Sequence, residues 1–166
     1  MKRIVLRGRK VVGGMAAGEA LVTSQMISFF GGVDPATGIV KEKGHELEGK
    51  SVKGKILVFP RGKGSSEGAL KLYDMSLRGT SPAAIVNLQT EPIVAVGAVL
   101  GEIPTVHKLS NDPIRIIGSG DSVRVNADRG TVEIYGKQRV LQDLMGHEKS
   151  LKLRTGSHIS SDYLRR

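Results

Sequence analysis

The chain has 166 residues, 39% of them hydrophobic and 25% charged, and it contains no cysteine. That length suits one domain with a real core, and the composition is ordinary for a globular protein. The lack of cysteine excludes disulfides, thiolate nucleophiles, cysteine-bound zinc and an iron–sulfur cluster held by this chain alone, since such clusters need thiolate ligands. No apolar run reaches the roughly 18 to 20 residues of a membrane span, and no apolar stretch of the secretory kind follows the basic start MKRIVLRGRK. A cytoplasmic protein is therefore expected. The formal net charge is +9. The first ten residues carry five positive charges, and residues 137–166 carry seven Lys and Arg against three Asp and Glu. The body between them is balanced. Basic ends of this kind are either simply solvated or meet an acidic partner, a nucleic acid or a phosphorylated substrate.

In chain order, residues 4–12 are rich in β-formers and end at Gly13-Gly14. Residues 20–23 read as a second strand. Ser28-Phe-Phe-Gly-Gly-Val-Asp-Pro35 reads as a tight loop, because glycine pairs and Asp-Pro favour turns, and residues 37–40 resume an extended run. Residues 55–59 form a nearly continuous apolar run, the pattern of a strand buried on both faces in a parallel sheet. Pro60 ends it, and a Gly-rich loop follows over 61–68. Residues 69–77 have helical spacing, with Leu70, Tyr73 and Leu77 on one face and Leu72 and Met75 flanking it. Gly79 fits a helix stop, and residues 82–88 read as the next strand. Residues 55–88 thus spell a βαβ unit and an α/β fold. A helix is expected over 93–100, a short strand over 103–106, and further β structure at 114–117, 122–126 and 131–135, with a turn over 126–130. The chain divides into a domain over residues 1–136 and a basic C-terminal extension over 137–166. The extension carries a short amphipathic pattern at 140–145 and reads either as a docking segment or as a partly disordered end.

The stretch Pro60-Arg-Gly-Lys-Gly-Ser-Ser-Glu-Gly68 lies where a parallel strand ends and a helix begins. Ligands of open α/β sheets gather at that edge, and a helix N-terminus offers free N–H groups and a positive dipole end to an anion. It has neither the order of a phosphate-binding Walker loop nor that of a nucleophile elbow. Ser65 or Ser66 can simply cap the helix, with Glu67 in its first turn. Capping and catalysis are compatible, because the N–H groups that cap also stabilise an alkoxide. The loop Phe29-Phe-Gly-Gly-Val-Asp-Pro-Ala-Thr-Gly38 is either a turn with an aromatic plug or a segment that closes on a substrate or partner. His45, His107, His147 and His158 show no metal-site spacing and read as solvated, so no metal ligand is assigned to this chain. Glu91 or Glu102 would approach the Gly-rich loop only if the strand order brings them together.

Together these stretches resemble the swivel-domain subunit of aconitase X. The resemblance covers most of residues 10–135. It runs through Ala17-Gly-Glu-Ala-Leu-Val-Thr23, Ile27-Ser-Phe-Phe-Gly-Gly-Val-Asp-Pro35, Thr37-Gly-Ile-Val40, Gly54-Lys-Ile-Leu-Val-Phe-Pro60 and the Gly-Lys-Gly-Ser-Ser loop. It continues through Pro82-Ala-Ala-Ile-Val86, Thr90-Glu-Pro-Ile-Val-Ala-Val-Gly97, Glu102-Ile-Pro-Thr-Val106 and Gly120-Asp-Ser-Val-Arg-Val-Asn126. The resemblance implies a swivelling β/β/α domain like the C-terminal domain of aconitase, with a parallel-sheet layer and a barrel-like β layer. It implies a heterodimer in which a large subunit holds an iron–sulfur cluster, of 4Fe–4S type, through its own cysteines. The cluster would act there as Lewis acid on a substrate hydroxyl. Ser65 would be the base, with Lys63, Gly64, Ser66, Gly31, Gly32 and Asp34 binding substrate. The family includes archaeal enzymes that dehydrate (R)-5-phosphomevalonate to trans-anhydromevalonate 5-phosphate in a variant mevalonate pathway of isoprenoid biosynthesis, and bacterial cis-3-hydroxy-L-proline dehydratases. The separate small subunit is more like the archaeal form. Where aconitase follows its serines with Arg-Glu, this chain has Glu67-Gly68, so no residue is assigned to the substrate carboxylate. The competing reading is a basic nucleic-acid-binding module. Three Phe, three Tyr and no Trp give it no stacking stripe. No membrane partner is expected.

Overall fold

Four consecutive apolar residues explain much of the architecture. Ile56, Leu57, Val58 and Phe59 form one strand, and none of them reaches solvent. Side chains alternate across a strand, so this strand feeds two cores. Leu57 and Phe59 join one cluster with Leu72, Met75, Val94 and Ala98 from the helices. Ile56 and Val58 join a second with Val123, Val125, Val132 and Ile134 from the antiparallel strands.

The computed structural model describes residues 3–135. The expected extension over 137–166, its amphipathic stretch, His147 and His158 lie outside them. The elements are β1 (Arg3–Arg7), β2 (Arg9–Val12), β3 (Met15–Val22), β4 (Ile56–Phe59), α1 (Glu67–Arg78), β5 (Ala84–Asn87), α2 (Pro92–Leu100), β6 (Thr105–His107), α3 (Pro113–Ile116), β7 (Ser122–Asn126) and β8 (Thr131–Tyr135). The strand order is β1-β8-β7-β3-β4-β5-β6-β2. β3, β4, β5 and β6 run parallel to their neighbours within that set, and β2 closes it antiparallel to β6. The N-terminal half of β3 pairs with β7, and β7 and β1 flank β8, all antiparallel. Because only Gly8 separates β1 from β2, the two ends of this order are joined through the chain, which gives the barrel-like closure. Gly8 has to be bare there, since a Cβ would sit 2.5 Å from the His107 carbonyl oxygen. The result is the expected β/β/α layering, with the parallel sheet in the middle.

The βαβ unit is present as read. β4 and β5 are parallel in register, and Gly79 ends α1 in the left-handed conformation (φ 72°). Three local expectations are corrected. Leu70 and Leu77 are the exposed residues of α1, at 60% and 68%, and the buried face is Gly68, Ala69, Leu72 and Met75. The small residues face inward because α2 packs closely, with Gly97 lying against the Ala69 carbonyl and Leu72. Residues 114–117 do not form a strand. The Asp112 side chain accepts from the Ile114 N–H at 2.9 Å and Pro113 sits at the first helical position, so a turn of helix wins over the β preference of isoleucine. Residues 37–40 contribute only isolated bridges, Val33 with Val40 and Ile39 with Ser51. The long connection between β3 and β4 is instead held by its apolar residues. Ile27, Phe29, Val33, Val40, Leu47 and Val52 are all at most 2% exposed and enter the helix-side core.

Candidate active site

The two stretches singled out by sequence lie side by side at the carboxyl edge of the parallel strands. Beyond β4 the chain pairs with the β3–β4 connection. Ile27 bridges Gly62, the Lys63 N–H donates to the Ile27 carbonyl (3.0 Å), and the Ile27 N–H donates to Arg61 (3.3 Å). The strand end is fixed from β5, where buried Asn87 donates to the Phe59 carbonyl at 3.0 Å. Glu91 fixes the loop from the other side. Its carboxylate caps α2 by accepting from the Ile93 and Val94 N–H groups at 2.8 and 2.7 Å. Gly62 lies so close that a Cβ would be 2.4 Å from the Glu91 Oε1. Strand order therefore brings Glu91 to the loop, while Glu102 follows the opposite end of α2, at φ +52°.

Gly64 has φ +95°, a conformation L side chains rarely adopt, and a Cβ there would stand 2.7 Å from the Ser28 hydroxyl oxygen. This turn delivers Ser65 to the start of α1. The Ser65 Oγ accepts from the Glu67 N–H at 3.2 Å, and its carbonyl accepts from the Gly68 N–H at 2.9 Å. Ser66, at the N-cap position, makes no side-chain cap bond. Both serines are exposed. Ser65 is thus the hydroxyl that already accepts an N–H at the positive end of α1. The same N–H and dipole would favour an alkoxide at that oxygen.

Lys63 is paired with Glu42, Nζ to Oε1 at 2.5 Å. The pair separates two depressions, and both residues line each of them. The smaller, about 250 Å³, also contains Ser28, Phe30, Gly31, Gly32 and Gly64. The larger, about 470 Å³, also contains Lys43, His45, Arg61 and Gln25. Gly31, Gly32, Lys63 and Gly64 are therefore brought together, with Ser65 and Ser66 following in the chain. Gly32 allows the loops to touch, since its Cβ would fall 2.3 Å from the Ser28 carbonyl oxygen. Asp34 is not among the lining residues. Its carboxylate accepts from the Ala36 N–H (3.1 Å) and the Thr37 hydroxyl (3.0 Å), forming its own turn. Those bonds hold its pKa below the usual carboxylate value. Glu42 carried no sequence signal, because its role depends on a partner 21 residues away.

The aromatic pair splits. Phe29 is buried and meets Phe59 edge to face at 6.2 Å, as the plug, while Phe30 is 44% exposed at the rim. Two histidines are not simply solvated. His45 is buried, its Nδ1 accepts from the Leu47 N–H (3.0 Å), and its Nε2 then donates to the Met26 carbonyl (3.0 Å). The Nδ1 of His107 accepts from the Thr90 N–H at 3.0 Å. Desolvation, followed by nearby Lys108 and Arg9, pushes its pKa down. Among the described residues no three His, Asp or Glu side chains converge to hold a metal. With no cysteine in the chain, its donor set does not fit an iron–sulfur cluster. No helix among the described residues is long and apolar enough to cross a membrane.

The family model for the aconitase X swivel domain matches residues 5–134. The phosphomevalonate dehydratase small subunit of Methanosarcina mazei is 51% identical over 131 residues, 79% of this chain and 91% of that protein. The protein of the same name from Archaeoglobus fulgidus is 50% identical over 126 residues, 76% of this chain and 95% of that one. The crystal structure of Thermococcus kodakaraensis aconitase X in its holo-form superimposes with a TM-score of 0.76 at 45% identity, covering 80% of this chain and 99% of that chain. The shared layering, and a family match over residues 5–134, lead to one conclusion: the chain belongs to the aconitase X swivel domain family.

Proposed function

We propose that this chain is the small subunit of a two-subunit hydro-lyase that dehydrates (R)-5-phosphomevalonate to trans-anhydromevalonate 5-phosphate, with Ser65 as the base. The name carried by relatives of about half-identical sequence supports the substrate. The observation that carries the chemistry is the Ser65 hydroxyl, exposed at the start of α1 and accepting the Glu67 N–H. In this reading the Ser65 Oγ takes the proton from the carbon next to the substrate carboxylate. The C–H electron pair becomes the new double bond, the neighbouring C–O bond breaks, and the departing hydroxide takes up a proton from solvent to become water, while Ser65 returns its gained proton to solvent before the next turnover. A serine is a weak base at its ordinary pKa. Here the N–H groups at the helix start and the Lys63 ammonium, which Glu42 holds in place, lower the cost of the alkoxide. Gly31, Gly32, Lys63 and Gly64, which line the smaller depression, contact the substrate together with Ser66 just beyond them in the chain, and Asp34 shapes the loop that carries the first two. The 4Fe–4S cluster belongs to a large partner subunit, because this chain offers no thiolate. A small soluble phosphorylated hydroxy acid implies a cytoplasmic enzyme.

The test is co-expression with the large subunit, anaerobic purification and an assay of water loss from (R)-5-phosphomevalonate. Activity should need both chains. Ser65→Ala should lower kcat by about 10²- to 10⁴-fold, the usual contribution of a positioned base, while the complex still assembles. Full activity of Ser65→Ala would remove the serine from the mechanism. A stable complex that turns over cis-3-hydroxy-L-proline and not phosphomevalonate would replace the substrate.

A further inference from the structure

We infer that the larger depression, beside the Ser65 loop, is a subsite for a phosphate monoester, gripped by Arg61 and Lys43. Its wall holds three cations, Lys43, Arg61 and Lys63, against one carboxylate, Glu42. That carboxylate is already committed to Lys63. Among the described residues neither Arg61 nor Lys43 has an ion-pair partner, so both cations remain open to an anionic ligand.

Two further carboxylates, Glu46 and Glu48, are each bonded to a lining residue of the cavity, and neither pairs with Arg61 or Lys43. Glu46 takes bonds from the Thr23 hydroxyl (2.6 Å), the Ser24 hydroxyl (2.6 Å) and the Ser24 N–H (3.0 Å), and Glu48 takes one from the Gly44 N–H (2.9 Å). The floor is cross-tied by hydrogen bonds. Buried His45 ties its own segment to the Met26 carbonyl and the Leu47 N–H. Gln25 spends its carbonyl oxygen on the Glu46 N–H at 2.9 Å, which leaves its amide N–H donors for a ligand. A planar guanidinium beside an ammonium, with N–H donors beneath, is matched to the oxygens of a phosphate.

The cavity's position also matters. It meets the smaller depression at the Lys63–Glu42 pair, and Gly64 and then Ser65 lie beyond that pair. A substrate with a phosphate at one end and a carboxylate at the other can span both, its reacting carbon at Ser65 and its phosphate at Arg61. The link from cavity to substrate rests on the dehydratase reading, whereas the anion site itself rests on the cations.

The experiment uses the anaerobically purified two-subunit holoenzyme, with Arg61→Gln and Lys43→Gln in this chain. Inorganic phosphate binding is read by ³¹P line broadening, together with KM and kcat for (R)-5-phosphomevalonate and the elution volume of the complex. The subsite predicts that each variant weakens phosphate binding and raises KM by about tenfold, the size of one charge-assisted contact, with kcat within about twofold and assembly intact. If the wild-type complex turns over phosphomevalonate but phosphate binding and KM ignore both variants, the subsite is wrong and the dehydratase reading stands. If phosphomevalonate is no substrate yet phosphate still binds in an Arg61-dependent way, the subsite stands and the dehydratase reading falls. If the variants instead split the complex and leave KM unchanged, the cations serve the partner's surface and the proposal is overturned.

Discussion

At the scale of single residues the site depends on what is missing as much as on what is present. Gly64 combines a positive φ of +95° with a Cβ position 2.7 Å from the Ser28 hydroxyl oxygen. Any side chain there strains the turn by about 1–3 kcal/mol and pushes the two loops apart. Ser65 is the next residue, so the displacement passes directly to the proposed base. Gly64→Ala should therefore leave the fold in place, with melting lowered by roughly 2–12 °C, while kcat falls about 10²-fold, as expected for a group misplaced by about 1 Å. Steady-state kinetics beside a melting curve checks this, and near-normal kcat would show that the turn does not set the serine's position. Glu42 acts in the same way at longer range. Its side chain holds Lys63 and its backbone N–H reaches the Gly32 carbonyl, so one residue ties together the two glycine loops.

At the scale of elements, what could be read from sequence followed the range of the interactions that decide it. The unit β4–α1–β5 was legible because its signals are local. A strand of four buried apolar residues, a break at Pro60 and a left-handed glycine after α1 each declare themselves within a few positions. The face that α1 buries was not, because it depends on α2. Leucines at 70 and 77 look like a core stripe until Gly97 brings α2 against Ala69 and Leu72, and the close approach then selects the small residues. The same limit hid Glu42 and the burial of His45, whose partners lie 21 and 19 residues away. Ser65 was legible as a helix-start serine, but not that it, rather than Ser66, accepts the N–H. The helix contact is itself testable. A Cβ at Gly97 would stand 3.0 Å from both the Ala69 carbonyl oxygen and Leu72. Gly97→Val should force α2 outward and destabilise the protein by about 1–3 kcal/mol, the range for overpacking, as measured by denaturant unfolding. A stabilised Gly97→Val would mean that the helix pair has slack there.

At the scale of the whole molecule, the two cores share one wall. The parallel strands β4 and β5 give alternate residues to each side, Leu57, Phe59 and Ile85 to the helix core and Ile56, Val58, Ala84 and Val86 to the barrel core. Neither core can lose its sheet without exposing the other. The expected behaviour is one cooperative transition in which damage to either side lowers the stability of both. Leu72 lies wholly in the helix core and Ile134 in the barrel core, each at most 1% exposed. Leu72→Ala and Ile134→Ala should each cost about 2–5 kcal/mol, and since they lie on opposite sides of the sheet their effects should add within about 0.5 kcal/mol. Amide hydrogen exchange on the purified chain reads this without a spectroscopic bias toward helix. Under conditions that favour global opening, amides of α1 and of β8 should lose protection by the same amount in either variant. If Leu72→Ala releases α1 and α2 while β7 and β8 keep their protection, the helix layer opens as a separate unit. The Ser65 loop, carried between β4 and α1, would then be set by the helix layer rather than by the sheet.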